Sequence, residues 1–191
     1  MFATRLLPVL MSTLLLTACA TQTKPDPVSA FEKAMVHDRV IVSGQPTKDD
    51  LANLKERGIT HIFNVRAPEE MSTLGFDESA LASADGIAYS NQPIGGATAY
   101  TPELLEAFAE TMAASDGKVL LHCGSGGRAA VLYAAYAMKY LGLTPDEAMR
   151  TMSPTGAWPL PLERMTGEKL TVVRSDALKK AGFEKSPSDT D

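Results

Sequence analysis

One cysteine of this 191-residue chain stands where nucleophilic chemistry is expected. Cys123 follows an apolar run that ends at His122, and four residues, Gly-Ser-Gly-Gly, separate it from Arg128. A cysteine thiolate is a strong nucleophile, and a nearby guanidinium can hold two oxygens of an oxyanion at once. This combination of residue types and spacing predicts attack by the cysteine sulfur on an anionic substrate.

The residues between the cysteine and the arginine predict an anion-binding loop. The loop consists of Gly124, Ser125, Gly126 and Gly127, and its glycines let the backbone wrap closely around a ligand. The N–H groups of the loop and of the following helix N-terminus would stabilise both a thiolate and a bound anion. His122, directly before the cysteine, is expected to hydrogen-bond loop carbonyls and so to hold the shape of the loop.

Other charged residues flank an earlier predicted strand. Arg66 ends that strand and either adds positive charge to the anion pocket or pairs with Glu69 or Glu70. The region 86–102 contains no Asp or Glu that would serve as a general acid, although loss of such an acid typically slows a reaction by about 10²- to 10⁴-fold. Glu69 and Glu70 are therefore candidates for a substitute acid, with a loop or helix-cap role as the alternative.

Predicted strands and helices alternate along the chain. The strands are expected at 39–43, 60–66, 87–92 and 118–122, and the helices at 47–57, 77–84, from 102, at 128–141 and from 144. This alternation favours a largely parallel sheet with helices on both faces. Ligands of such sheets bind at the carboxyl ends of the strands, which is where Cys123 is expected.

These motifs together resemble the beta-lactamase-hydrolase-like, phosphatase-like family, a bacterial relative of the dual-specificity protein phosphatases. The resemblance covers about residues 31–143 and rests on the segments at 42–46, 62–66, 92–94 and 122–128. It implies a three-layer α/β fold with a mostly parallel sheet flanked by helices, as in the cysteine phosphatases. It also implies that Cys123 is the nucleophile and that Arg128 is the oxyanion ligand.

Two departures from related sequences bear on turnover. Ordinary tyrosine phosphatases place five residues between the cysteine and the arginine, whereas this chain has four, as the relatives in the resembled family also do. Gly124 and Ala129 also stand where the relatives usually carry an arginine and a serine, and that serine hydroxyl helps the thiolate to leave. The sequence therefore predicts weak phosphatase activity that is restricted to substrates with good leaving groups.

Three functions remain open at this point. The first is a cysteine-dependent phosphatase acting on a phosphorylated or other small anionic substrate. The second is a sulfurtransferase, since rhodanese loops also combine a cysteine with a short glycine-bearing loop; Cys123 would then carry a persulfide, which requires no acid. The third is a pseudophosphatase, a lipoprotein that binds anions without catalysis.

The N-terminus has the pattern of a bacterial lipoprotein precursor. One basic residue precedes an apolar run at 6–16 that is too short to span a bilayer, and the run leads into a Leu-Thr-Ala-Cys sequence that resembles the lipobox. We expect residues 1–18 to be a cleaved signal peptide and Cys19 to carry the lipid. Ala20, rather than aspartate, follows the cysteine, which by analogy with Gram-negative lipoproteins implies an outer-membrane anchor facing the periplasm.

The composition fits one domain and excludes several ligands. The formal net charge is −5 and no basic patch is visible, which argues against nucleic acid as a partner. The three histidines lack the spacing of a metal site, and no motif implies a cofactor. We expect a tether at 19–30, a phosphatase-like domain at 31–181 and a disordered tail at 182–191.

Overall fold

A computed structural model describes residues 28–152 and 160–170 of the chain. The predicted signal peptide, Cys19, most of the tether and the predicted tail lie outside the described residues. Within the two described ranges, no helix combines the length and the apolar character needed to cross a membrane.

Five strands form a single sheet in the described part of the chain. The strands are β1 (Met35–His37), β2 (Val40–Ser43), β3 (Ile59–Asn64), β4 (Ala88–Asn91) and β5 (Lys118–His122). Their order is β1-β2-β5-β3-β4, and only β1 runs antiparallel to its neighbour. The last strand in the chain therefore lies in the middle of the sheet, between β2 and β3.

Helices cover both faces of this sheet. They are α1 (Lys48–Ala52), α2 (Pro68–Met71), α3 (Glu78–Ala84), α4 (Pro102–Ala114), α5 (Gly127–Leu141), α6 (Pro145–Met152) and α7 (Leu160–Thr166). The helices α4 and α5 pack on one face, with α6 and α7 against them, while α1 and α3 pack together at the other face. The predicted three-layer α/β fold with a mostly parallel sheet is thus confirmed.

The side chains of β5 contribute to both halves of the core, because successive strand residues point to opposite faces of a sheet. Val119 and Leu121 join the core under α4 and α5, whereas Leu120 joins the core under α1 and α3. All three side chains are fully buried. A strand that is apolar on both faces is typical of the centre of a parallel sheet, which is the position β5 occupies.

The predicted and observed elements differ mainly in the first helix, which is shorter than predicted. The helix predicted at 47–57 is wrong in length, because α1 ends at Ala52. Beyond it the backbone tightens into turns, and the Ile59 N–H donates to the Leu54 carbonyl as the chain enters β3. Both Leu54 and Ile59 are buried, so the tight turn lets two nearby residues reach the same core.

Two short elements were not predicted. The three-residue strand β1 pairs with β2 through a turn in which Asp38 has a positive φ of 51°. The segment after Ala67, for which no helix was predicted, contains the single-turn helix α2, which begins at Pro68. The side chain of Glu70 accepts a hydrogen bond from the Ala67 N–H at 3.0 Å and so caps this helix.

The register of the sheet brings the ends of four strands to one level. Ser43 of β2 and Asn64 of β3 both lie opposite His122 of β5, and Asn91 of β4 lies opposite Asn64. The residues that follow each strand are therefore neighbours at the same edge. Cys123 lies at the centre of that edge.

Candidate active site

Cys123 lies directly after the central strand, at the start of the loop that leads to α5. Its side chain is only 1% exposed, and its backbone N–H donates to the Ser43 carbonyl at 3.4 Å. The sulfur accepts a hydrogen bond from the Gly126 N–H at 3.1 Å. The loop thus turns back on the cysteine and presents a backbone donor to the sulfur, as stabilisation of a thiolate requires.

The loop from Gly124 to Gly127 has the compact form that its glycines predict. Gly126 has a φ of 96°, in the left-handed region, and its carbonyl accepts from the Ala130 N–H at 2.8 Å to begin α5. The β2 side holds the loop as well, because the Gln45 N–H donates to the Gly124 carbonyl at 3.1 Å. A Cβ atom on Gly44 would lie 3.1 Å from the same carbonyl, so this close approach favours glycine.

Arg128 lies in the first turn of α5, with its guanidinium held by Glu70. Nη1 and Nη2 each donate to one carboxylate oxygen of Glu70 at 2.7 Å, and Nη1 also donates to the Ile94 carbonyl at 3.0 Å. A guanidinium has five N–H donors, so three are used here. The two that remain are Nε–H and one Nη2–H, which share one edge of the planar group and suit two oxygens of an anion.

Glu70 is ionised at neutral pH, which removes it as a proton donor. The hydrogen bonds from Arg128 are the main cause that lowers the pKa of Glu70 to about 2, with help from the Ala67 N–H and the charge of Arg66. Glu70 in turn raises the pKa of Arg128. Of the two roles proposed for this glutamate, the structure therefore favours the cap, together with a contact to Arg128 that the sequence did not predict.

Arg66 turns its guanidinium towards Glu70 and Gln45. Nη1 donates to the Gln45 Oε1 at 2.6 Å, Nη2 donates to the Glu70 carbonyl at 3.1 Å, and Nε lies 3.6 Å from the Glu70 carboxylate. The predicted pairing with Glu70 is thus present. The Nη1 and Nη2 atoms of Arg66 already donate to protein groups. Direct contact of Arg66 with a substrate therefore stays a prediction.

His122 does not make the hydrogen bonds to loop carbonyls that the sequence predicted. Neither ring nitrogen has a hydrogen-bond partner among the described residues, and Nε2 lies 3.3 Å from the Glu78 carboxylate with both side chains fully buried. Glu78 also accepts from Asn64 at 3.1 Å, from Gln45 at 3.2 Å and from the Tyr89 hydroxyl at 3.3 Å. His122 therefore belongs to a buried polar cluster beneath the loop.

Sequence reasoning missed the part that Glu78 plays in this cluster. Glu78 is the first residue of α3, directly after the Asp77 cap, and acidic residues are common in the first turn of any helix. The sequence pattern therefore gave no sign that the Glu78 side chain is buried. Gln45 belongs to the Gly-Gln-Pro segment that carries part of the family resemblance. That segment was the one sequence signal that pointed to a role for Gln45 at the site.

Comparisons with known proteins agree with this architecture. The family model described as beta-lactamase hydrolase-like protein, phosphatase-like domain, matches residues 19–138. A beta-lactamase hydrolase-like protein of Xylella fastidiosa is 41% identical over 101 residues, which make up 52% of this chain and 23% of that protein. The similarity thus spans about a quarter of the relative's length.

Solved structures share the fold at lower identity. The structure of Tk-PTP in its active form has a TM-score of 0.58 and 20% identity, over 72% of this chain and 98% of that one. PTPMT1 in complex with PI(5)P has a TM-score of 0.57 and 22% identity, over 67% and 88% of the two chains. The fold is thus that of the tyrosine and dual-specificity phosphatases. Because the family model spans more than half of the sequence, the chain belongs to the phosphatase-like domain family of beta-lactamase hydrolase-like proteins.

Proposed function

We propose that the protein is a cysteine-dependent phosphatase that hydrolyses phosphomonoesters. The observation that carries this proposal is the arrangement around the sulfur. The Gly126 nitrogen lies 3.1 Å from Cys123 Sγ, and Arg128, in the first turn of α5, keeps two N–H donors that are not bonded to Glu70 or Ile94. A nucleophile and the donors for an oxyanion thus lie side by side. Membership in a phosphatase-like family supports the same reaction type.

The residues suggest a two-step reaction. The Cys123 thiolate attacks phosphorus, the bond from phosphorus to the leaving oxygen breaks, and a phosphocysteine forms. Loop N–H groups and the free edge of Arg128 hold the remaining phosphoryl oxygens as charge redistributes. Water then attacks phosphorus, the sulfur–phosphorus bond breaks, and phosphate leaves. Glu70 takes no part in proton transfer but fixes the guanidinium of Arg128 in one orientation.

A sulfurtransferase is the second candidate, and two observations favour it. The spacer between Cys123 and Arg128 is one residue shorter than in ordinary tyrosine phosphatases, so the bowl of the loop should be smaller. The carboxylate of Glu70, which approaches Arg128, is also ionised and gives no proton. In this reaction Cys123 would attack the outer sulfur of thiosulfate, the sulfur–sulfur bond would break, and sulfite would leave with the electron pair.

A side-by-side assay of the purified protein distinguishes these functions. We expect turnover of 4-nitrophenyl phosphate and, because a poor leaving group needs protonation, turnover of O-phosphoserine that is lower by about 10²-fold or more. Thiosulfate should leave no persulfide on Cys123, as judged by intact mass. A stable persulfide without aryl phosphate turnover would replace the phosphatase by the sulfurtransferase. Phosphate binding without either activity would instead identify the non-catalytic anion binder.

We also propose that Cys19 anchors the protein in the outer membrane through lipid, with the domain in the periplasm. The lipobox-like sequence before this cysteine supports the proposal, since several acyl chains give stable anchoring. Intact mass of protein extracted from membrane fractions should show a chain that begins at Cys19 with added acyl mass. A Cys19→Ser control should lose the acyl mass and leave the membrane fraction. An unmodified Cys19, or a start at another residue, would contradict the anchor.

A further inference from the structure

Two arginines approach the same carboxylate at the candidate site. Arg128 Nη1 and Nη2 donate to the two oxygens of Glu70 at 2.7 Å each, whereas Arg66 Nε lies 3.6 Å from one of these oxygens, too far for a hydrogen bond. Arg66 is 9% exposed, and its Nε is a buried donor without a partner in the described part of the chain. Because a buried donor gains from a partner, Arg66 competes with Arg128 for Glu70.

Gln45 binds Arg66 at another part of the guanidinium. Its Oε1 accepts a hydrogen bond from Arg66 Nη1 at 2.6 Å, and hydrogen bonds from a charged donor are among the stronger ones. Arg66 Nη2 donates to the backbone carbonyl of Glu70 at 3.1 Å. Both Nη atoms are therefore engaged by groups other than the Glu70 carboxylate, which leaves that carboxylate to Arg128.

Gln45 is itself held by several hydrogen bonds. Its Nε2 donates to the Pro46 carbonyl at 3.1 Å and to Glu78 Oε1 at 3.2 Å, and its backbone N–H donates to the Gly124 carbonyl at 3.1 Å. The neighbours of Nε2 are acceptors and the neighbour of Oε1 is a donor, so the amide cannot turn over without losing these bonds. A neutral amide thus joins the buried Glu78 to Arg66, directly beside the loop of the nucleophile.

Without the Gln45 oxygen, Arg66 would have two unpaired donors near Glu70, on Nε and on Nη1. A carboxylate suits two parallel N–H donors, so Arg66 could then take the bidentate place that Arg128 holds now. Glu70 would not have to move far, because its carboxylate also accepts from the Ala67 N–H at 3.0 Å and is anchored by that bond. The exchange of partners requires chiefly a rotation of the Arg66 side chain.

We propose that Gln45 is a positioning residue that keeps the Glu70 carboxylate on Arg128, an inference that rests on the proposed function. Gln45 holds Arg66 through Nη1 and so prevents its guanidinium from turning onto Glu70. Glu70 can then hold Arg128 with both of its oxygens, which directs the two remaining N–H donors of Arg128 to the phosphoryl group. Gln45 touches no substrate atom and acts on the reaction through Arg66 and Glu70.

The test is a double-mutant cycle of Gln45→Met and Arg66→Met, measured by kcat/KM on 4-nitrophenyl phosphate and by the dissociation constant of inorganic phosphate. Methionine has the length of glutamine but no N–H donor and only a weak acceptor. In the wild-type background, Gln45→Met should lower kcat/KM and raise the dissociation constant by about tenfold, because Arg128 loses its fixed orientation. In the Arg66→Met background the competitor is absent, so Gln45→Met should change both constants by less than about twofold.

A conservative variant separates the contact with Arg66 from the contact with Glu78. Gln45→Glu keeps an acceptor for Arg66 and should restore most of the phosphate affinity that Gln45→Met loses. Its melting temperature should nevertheless fall, because a second carboxylate then lies beside Glu78. Gln22→Met is the matched control, since it makes the same exchange in the predicted tether and should leave both constants unchanged.

An equal loss in both backgrounds would overturn the inference, because Gln45 would then act through Glu78 or through stability alone; so would the absence of any loss in Gln45→Met. A crystal structure of Gln45→Met should show Arg66 bonded to the Glu70 carboxylate, and a carboxylate still held by both Nη atoms of Arg128 would contradict the proposed exchange. If wild type hydrolyses no phosphate ester, the proposed function fails, whereas phosphate binding and this crystal structure still decide the role of Gln45.

Discussion

Replacing Cys123 with serine is expected to lower kcat on 4-nitrophenyl phosphate by more than about 10⁴-fold, because an un-ionised hydroxyl replaces the nucleophile. The serine oxygen can still accept a hydrogen bond from the Gly126 N–H, whose nitrogen lies 3.1 Å from the sulfur in the wild type, so the loop should keep its shape. Glu70 is not free to act as a base for the serine hydroxyl, because both of its carboxylate oxygens accept hydrogen bonds from Arg128. Initial rates measure the loss, and isothermal titration with inorganic phosphate should show that binding persists.

The matched control for this variant uses the other cysteine of the chain. Cys19→Ser makes the same chemical change at the proposed lipidation site and should leave kcat unchanged when both proteins are assayed in the same detergent. Activity of Cys123→Ser within tenfold of wild type would show that another group attacks phosphorus. Retained phosphate binding also ensures that the loss reflects chemistry and not unfolding.

Replacing Arg128 with lysine should lower kcat/KM by about 10²- to 10³-fold although the positive charge is kept. Arg128 donates three hydrogen bonds to Glu70 and Ile94, which leaves two N–H donors for the proposed substrate. A lysine has three donors on one nitrogen, and a single nitrogen cannot bridge the Glu70 carboxylate and an oxyanion in the same geometry. We expect kcat/KM to fall and the dissociation constant for phosphate to rise.

The exposed Arg150 of α6 offers a control for this substitution. Arg150→Lys repeats the exchange far along the chain from the loop and should change neither constant. If Arg128→Lys bound phosphate as tightly as wild type, Arg128 would lie outside the anion pocket. The oxyanion would then depend on the loop N–H groups alone.

The centre of the site could be predicted from sequence because its parts are contiguous. A buried strand, a cysteine, a glycine-rich loop and a helix that begins beside Arg128 follow one another, so local rules place them together. The three-layer fold followed from the alternation of strands and helices. Short elements were not predicted, since the three residues of β1 are too few to show the alternation of a strand.

The surroundings of the site could not be predicted, because they depend on the order of strands in the sheet. Glu78 reaches His122 only because β5 inserts between β2 and β3, a fact that no local pattern expresses. The same holds for Glu70, whose carboxylate meets Arg128 from a distant part of the chain.

The contact between Glu70 and Arg128 also determines how the protein meets its substrate in solution. Arg66 and Arg128 contribute two positive charges at the site and Glu70 one negative charge, and the proposed nucleophilic form of Cys123 adds a second negative charge. These charges cancel at a distance, and the chain as a whole carries −5. Beyond a Debye length of about 10 Å at 0.1 M salt, a phosphate ester therefore feels no attraction towards the site. Capture depends on short-range N–H dipoles, so added salt should slow association very little, unlike in enzymes that steer anions with a positive field.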